Sequence, residues 1–184
     1  MLVRATKNLL IILKKYIKCN TSHMGEKGSF MKDNLPQRKH IRLKHYDYSL
    51  EGYYFITICT KNRECILSKI KLNDNKSYKM TLTSIGEMVD KYIKKIQNIY
   101  FNISIDEFII MPNHIHIILI IHKKENNTVS RIIQQFKGLV TKELGFSIWQ
   151  KLFHEHIIRN EKEYLMIKQY IINNQYNWER DKYY

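Results

Sequence analysis

The sequence predicts an α+β domain with a central antiparallel sheet, and three observations carry that expectation. Apolar runs rich in β-branched residues at 53–60, 103–111 and 114–121 read as strands. Two stretches, within 85–96 and 129–144, repeat apolar residues every three or four positions, as helices with one buried side do. The runs 103–111 and 114–121 follow one another with almost no connection, so they pair as antiparallel neighbours.

Taken in order, Tyr53 to Thr60 is the first strand, and Ile66–Leu72 with Tyr78–Leu82 form a hairpin or short extra pair. Thr83 and Ser84 precede a helix that buries Ile85, Met88, Val89, Tyr92, Ile93 and Ile96. Ile103–Met111 is a second central strand, and His114–Ile121 a third. A polar turn leads into a helix over Val129–Leu144, which Gly145 stops. Ser147–Ile158 is extended and contains Trp149; Asn160 caps the last helix, with Glu163 three residues on as in a capping box. That helix turns Tyr164, Leu165, Ile167, Ile171 and Ile172 inward and Lys168 and Gln169 outward, and ends near Asn177. The order β-α-β-β-α-β with a trailing helix is the ferredoxin-like plan. Residues 1–37 read as an N-terminal extension, with Met24 and Met31 as alternative starts, and 38–184 as the working domain.

The chain has 184 residues, with 31 Lys and Arg against 17 Asp and Glu, a formal charge of +14. Such an excess favours a polyanionic partner, nucleic acid first. Three cysteines, Cys19, Cys59 and Cys65, without a Cys-x-x-Cys pair argue against a disulfide scaffold and a thiolate zinc site, which points to a cytoplasmic setting. No apolar stretch reaches the length of a membrane span, so no membrane partner is expected. P-loop, dinucleotide-binding and zinc-protease signatures are absent.

The chemistry concentrates at Met111-Pro112-Asn113-His114-Ile115-His116. On a strand, residues two apart face the same way, so the two imidazoles converge while Ile115, Ile117 and Leu119 occupy the opposite face. Two histidines supply half of a divalent-metal site, and one more side chain, water and a substrate phosphate would supply the rest. Tyr170 and Asn174, four residues apart on the last helix, are candidates for that place, with Tyr164 and Tyr176 as competitors. Asp106 and Glu107 precede the histidines but, adjacent on a strand, would point to opposite faces. Arg131, Lys137, Lys142, Trp149 and Arg159 could line a groove for a single strand, charges on phosphates and the ring on a base.

The chain resembles the REP-associated tyrosine transposases, within the single-tyrosine HUH endonucleases, over roughly 38–178. The resemblance runs through Arg42-Leu43, Tyr46-Asp47-Tyr48-Ser49, Tyr54-Phe55-Ile56-Thr57-Ile58-Cys59-Thr60 and Asn62-Arg63, then the histidine segment. It continues through Phe136-Lys137, Thr141-Lys142, Trp149-Gln150, Glu155-His156-Ile157-Ile158-Arg159-Asn160-Glu161 and Tyr170-Ile171-Ile172-Asn173-Asn174. It implies that His114 and His116 bind Mg²⁺ or Mn²⁺, that Asn174 completes the site, and that Tyr170 attacks DNA to form a 5′-phosphotyrosine. Implied partners are single-stranded DNA with a hairpin or inverted repeat, contacted by Arg38, Lys39, Arg42, Lys44 and Arg63 as well as the groove residues, and a monomeric or homodimeric state. Where relatives carry Pro after the Asn-Asn pair this chain has Gln175, which should let the helix run on. A hairpin-binding protein that does not cut is the alternative. A further one is an RNA-binding module using Tyr54 or Phe55 as a stacking platform.

Overall fold

The structure, a computed structural model, describes residues 46–72, 78–124, 126 and 128–180. The expected extension 1–37 and the basic lead-in Arg38, Lys39, Arg42 and Lys44 lie outside the described residues.

Four strands make one antiparallel sheet: β1 (Gly52–Cys59), β4 (Ile103–Ile110), β5 (His114–Ile121) and β6 (His154–Ile158), in the order β4-β5-β1-β6. The hairpin β2 (Ser68–Leu72) and β3 (Tyr78–Leu82) stands apart as a two-stranded ribbon. The helices are α1 (Ser84–Ile99), α2 (Val129–Leu144) and α3 (Glu161–Ile172), and a final 3-10 segment covers Asn174–Arg180. This is a mixed α+β domain, compatible with the ferredoxin-like expectation. Ile103–Ile110, expected to be central, is an edge strand, and the histidine strand β5 takes the interior place beside β1.

Period-two alternation sorts the sheet into two faces. Tyr54, Ile56, Ile58, Ile115, Ile117 and Leu119 point one way and pack with Val89 and Ile93 of α1 and Ile132, Ile133, Phe136 and Val140 of α2. The register Thr57↔His116 and Cys59↔His114 sets the polar residues of β1 and β5 on the other face, where α3 crosses β4 and β5. Burying both faces needs a helix layer on each side, and the described residues supply two helices on one and one on the other.

The helix ends follow local chemistry. The Thr83 hydroxyl accepts the Gly86 N–H (3.1 Å) at the start of α1, and Gly145 closes α2 in the left-handed region at φ 81°. Asn160 Oδ1 accepts the Glu163 N–H at 2.9 Å, as expected of a cap. The reciprocal bond is displaced by one residue, since Glu163 Oε2 accepts from the Arg159 N–H (2.8 Å), while Oε1 meets His156 Nε2 at 2.7 Å. The last helix differs from expectation in three respects. It ends at Ile172 and continues as tighter 3-10 turns, with Gln175 where a proline would have broken the chain. Leu165 and Ile172, expected inward, are 55% and 47% exposed. Lys168, expected in solvent, lies half-buried against Asp106.

The Asp106 contact arises from a β-bulge. Pairing between β4 and β5 shifts register between Ile105 and Glu107, leaving Asp106 as the extra residue. Its carboxylate accepts from the Tyr164 hydroxyl (2.9 Å) and Lys168 Nζ (3.1 Å), while Glu107 pairs with Ile118 on the histidine face. The two acids therefore address one layer, not opposite faces, because the bulge resets the alternation between them.

Candidate active site

The interior position of β5 buries both histidines almost completely, His114 at 0% and His116 at 1% exposure. Their Nε2 atoms face each other at 3.1 Å. Each Nδ1 is held from behind: His114 Nδ1 lies 2.8 Å from Asn113 Oδ1, and His116 Nδ1 lies 2.8 Å from Thr57 Oγ1. An amide oxygen only accepts, so His114 carries its proton on Nδ1 and turns the Nε2 lone pair into the site. The orientation of the Asn113 amide has its own support, since Nδ2 donates to Arg63 O at 3.4 Å. Thr57 offers a hydroxyl that serves either tautomer of His116.

Burial lowers the proton affinity of both rings. For His114 the cause is burial, then the neighbouring His116, then the Arg63 guanidinium; for His116 burial brings the pKa to about 3. Both imidazoles are therefore neutral at physiological pH, the state in which they ligate metals.

These donors fit a divalent ion. Two neutral imidazole nitrogens converge at 3.1 Å with their far sides held in place, the donor type that divalent ions take. Two lone pairs at that distance repel unless a proton or a cation lies between them. Among the described residues no set of three or more His, Cys, Asp or Glu gathers to hold a metal, so further positions on an ion here would fall to neutral or external oxygens.

Tyr170 enters from the opposite layer. Its hydroxyl lies 3.3 Å from His116 Nε2, and Phe55 braces the group, stacked on His116 with centroids 5.1 Å apart and edge-on to Tyr170 at 6.3 Å. Ile167 and Ile171, buried at 2% and 1%, anchor the helix that carries Tyr170. Of the competing tyrosines, Tyr164 bonds Asp106, and Tyr176 is 49% exposed with its ring against Tyr78 at 6.2 Å. Asn174 is buried at 5% where α3 gives way to the 3-10 turns. Trp178 closes this end, its ring stacked near His114 with centroids 6.4 Å apart.

The expected DNA-contacting residues divide. Arg63 lies beside the histidine turn: its carbonyl accepts from Asn113 Nδ2 at 3.4 Å, and its charge lowers the proton affinity of His114 and His154. It is held in a turn where Asn62 and Arg63 both take positive φ, 53° and 58°, which side chains rarely adopt. Lys137 is occupied otherwise, its ammonium donating to the carbonyls of Gln150 (2.6 Å) and Lys151 (3.2 Å). Arg131 and Lys142 are exposed on α2, the helix layer behind the other face of the sheet, and Arg159 is exposed at the turn into α3. Trp149 is 5% exposed and packs on Phe136 at 5.8 Å, so its ring sits in the core and offers little face to a base. Tyr54 at 0% and Phe55 at 4% exposure are equally closed as stacking platforms.

Sequence reasoning did not single out Thr57, Asn113, His154 or Trp178. Pairing the first strand antiparallel to the histidine strand would have brought Thr57 opposite His116, and His154 faces Thr57 from β6. Trp178 carries no signal at all in the linear pattern.

No family model matches the chain. An uncharacterised protein of Haemophilus influenzae is 39% identical to it, over 82% of this chain and 94% of that protein. Among solved structures, a REP-associated tyrosine transposase bound to a REP hairpin superimposes with a TM-score of 0.56 at 24% identity, covering 76% of this chain and 75% of that one. That second likeness is one of fold. Among the described residues no helix is long and apolar enough to cross a membrane.

Proposed function

We propose that the chain, which belongs to the same family as the Haemophilus influenzae protein, is a metal-dependent endonuclease and strand-transferase acting on single-stranded DNA beside hairpins. One observation carries this reading. The Tyr170 hydroxyl of the last helix lies 3.3 Å from Nε2 of His116, 54 residues away, and that nitrogen in turn faces Nε2 of His114 at 3.1 Å. The likeness in fold to a transposase bound to a hairpin and the charge of +14 agree with it.

In this reading His114 and His116, with Asn174 as a third protein donor, would hold Mg²⁺ or Mn²⁺, which would supply positive charge at the scissile phosphate. Tyr170 is the nucleophile. Its oxygen forms a bond to phosphorus as the bond from phosphorus to the 3′-oxygen breaks, leaving a 5′-phosphotyrosine and a free 3′-hydroxyl. Because one phosphoester replaces another, the linkage is retained for joining to a second 3′-hydroxyl, and no nucleotide cofactor is consumed. Arg63 contacts the DNA. The protein acts as a monomer or a homodimer in a cytoplasmic setting, and the domain responsible spans 38–184. The burial of Tyr54 and Phe55 removes the platform that an RNA-binding reading requires.

The test uses labelled hairpin-flanked oligonucleotides with Mg²⁺ or Mn²⁺, resolved on denaturing gels. Wild type is expected to form a covalent adduct that EDTA prevents and that Tyr170→Phe and His114→Ala both lose. Cleavage that survives Tyr170→Phe would overturn the assignment of the nucleophile. Tight hairpin binding without any adduct would replace an enzyme with a binding protein.

A further inference from the structure

The ribbon β2–β3 carries a lysine face that the candidate active site does not use. Over most of its length it alternates: Ser68, Ile70, Met80 and Leu82 are buried or half-buried, whereas Lys69, Lys71, Lys79 and Thr81 are exposed, and only at the end of β2 does the pattern lapse, where Leu72 is exposed as well. Pairing sets Lys71 directly opposite Lys79, with Lys69 two residues away on the same face. Opposed side chains on such a ribbon have Cβ atoms about 5 Å apart, and like charges there destabilise the pairing. None of the three lysines makes an ion pair among the described residues. The ribbon thus holds concentrated positive charge at the expense of its own stability.

Its base is fastened beside the histidines. The Leu67 N–H donates to Pro112 O (2.9 Å), in the turn that leads into His114. On the other side of the ribbon the Thr83 N–H donates to Leu67 O (3.0 Å) and its hydroxyl to Ile66 O (2.6 Å). Tyr78 rests against Tyr176, two residues before the Trp178 that stacks near His114. These contacts hold the lysine face in a set relation to the candidate active site.

We propose that the lysine face of this ribbon is the phosphate-binding surface for the double-stranded stem of a DNA hairpin, placing the adjoining single strand at the histidines and Tyr170. The inference rests on the function proposed above and adds where the stem is held. Charge complementarity names the occupant. Lys69 and Lys71 are about 7 Å apart along their strand, and a duplex presents one negative charge per about 1.7 Å of axis, so all three ammonium groups can be neutralised at once. A phosphate surface of this kind positions the duplex without reading its sequence.

The experiment compares wild type with Lys69→Ala/Lys71→Ala/Lys79→Ala and with Lys79→Glu. Affinity for a hairpin with a short single-stranded flank is measured across a salt series, alongside thermal unfolding and adduct formation on a saturating single-stranded oligonucleotide. The triple variant is expected to bind the hairpin at least about tenfold more weakly, with a salt slope shallower by about 2–3, while adduct formation on the single strand is unchanged. Lys79→Glu is expected to raise the melting temperature, because an opposed pair of opposite sign replaces the repulsion, and still to weaken hairpin binding. Wild-type affinity and slope in both variants would overturn the proposal and leave the active-site reading standing. Equal loss on the single strand and the hairpin would also overturn it, as would loss confined to anionic lipid vesicles with hairpin binding intact. A wild-type protein that binds neither hairpin nor single strand would overturn both readings together.

Discussion

At the residue scale, the site depends on groups that touch the histidines from behind. Thr57 and Asn113 hold the two Nδ1 atoms and so keep the Nε2 atoms converged. Removing such a partner typically weakens a metal site 10–100-fold. Thr57→Val and Asn113→Leu are therefore expected to lower Mn²⁺ affinity by about that factor, read by calorimetry or by the Mn²⁺ spin-resonance signal, while Tyr170→Phe binds the ion nearly as wild type. Affinity unchanged in both Thr57→Val and Asn113→Leu would remove them from the site. A second residue, Asp47, reports on the turn before β1. Hydrogen bonds from the Ser49 hydroxyl and amide, and the Lys124 ammonium, bring its carboxyl down to about 2. A depressed carboxylate adds stability that is present above its unfolded value, near 4, and is lost as pH falls through about 2. An NMR titration should find its midpoint near 2, and Ser49→Ala should move it back toward 3.8.

At the element scale, α1 can lie where it does only because its third residue is a glycine. A Cβ built at Gly86 would fall 1.9 Å from Leu67 O, a backbone atom that already accepts the Thr83 N–H. Gly86→Ala must push α1 away from the ribbon base, with an expected cost of about 3 kcal/mol, measured by urea unfolding; a cost near zero would show that the junction yields freely. The last helix is set by its cap. Asn160→Ala is expected to cost about 1 kcal/mol and, because α3 carries Tyr170, to slow adduct formation as well. Most of these elements were legible beforehand, since Thr83, Gly145 and Asn160 announce helix ends by local bonding alone. The bulge at Asp106 was not, because an inserted residue leaves no trace in the alternation of a single strand. Its result, the half-buried Asp106–Lys168–Tyr164 cluster, reversed the expected exposure of Lys168.

At the scale of the whole molecule, the charge of +14 is the property that bears most on partners. If six to ten phosphates are engaged, hairpin affinity is expected to fall by about 10³–10⁵ between 50 and 200 mM salt. A flat salt response in a filter-binding series would exclude a phosphate-dominated interface. The fold also sorts the basic residues by their surroundings. Arg63 stands in an unusual turn beside Asn113, the three ribbon lysines stand on one exposed face, and Lys137 is spent on two backbone carbonyls.

By itself the sequence determined most of the strands and helices, the shared face of His114 and His116, and the strongly basic character of the chain. Each of these follows from periodicity, local capping or net composition, which are properties of neighbours along the chain. Only the tertiary structure decided that the histidine strand is interior, that Thr57 and Asn113 orient its rings, that Tyr170 rather than Tyr164 or Tyr176 meets them, and that Trp149 belongs to the core. Those outcomes depend on strand order, register and the way α3 crosses the sheet. They are contacts between residues far apart in sequence, and no local pattern encodes them.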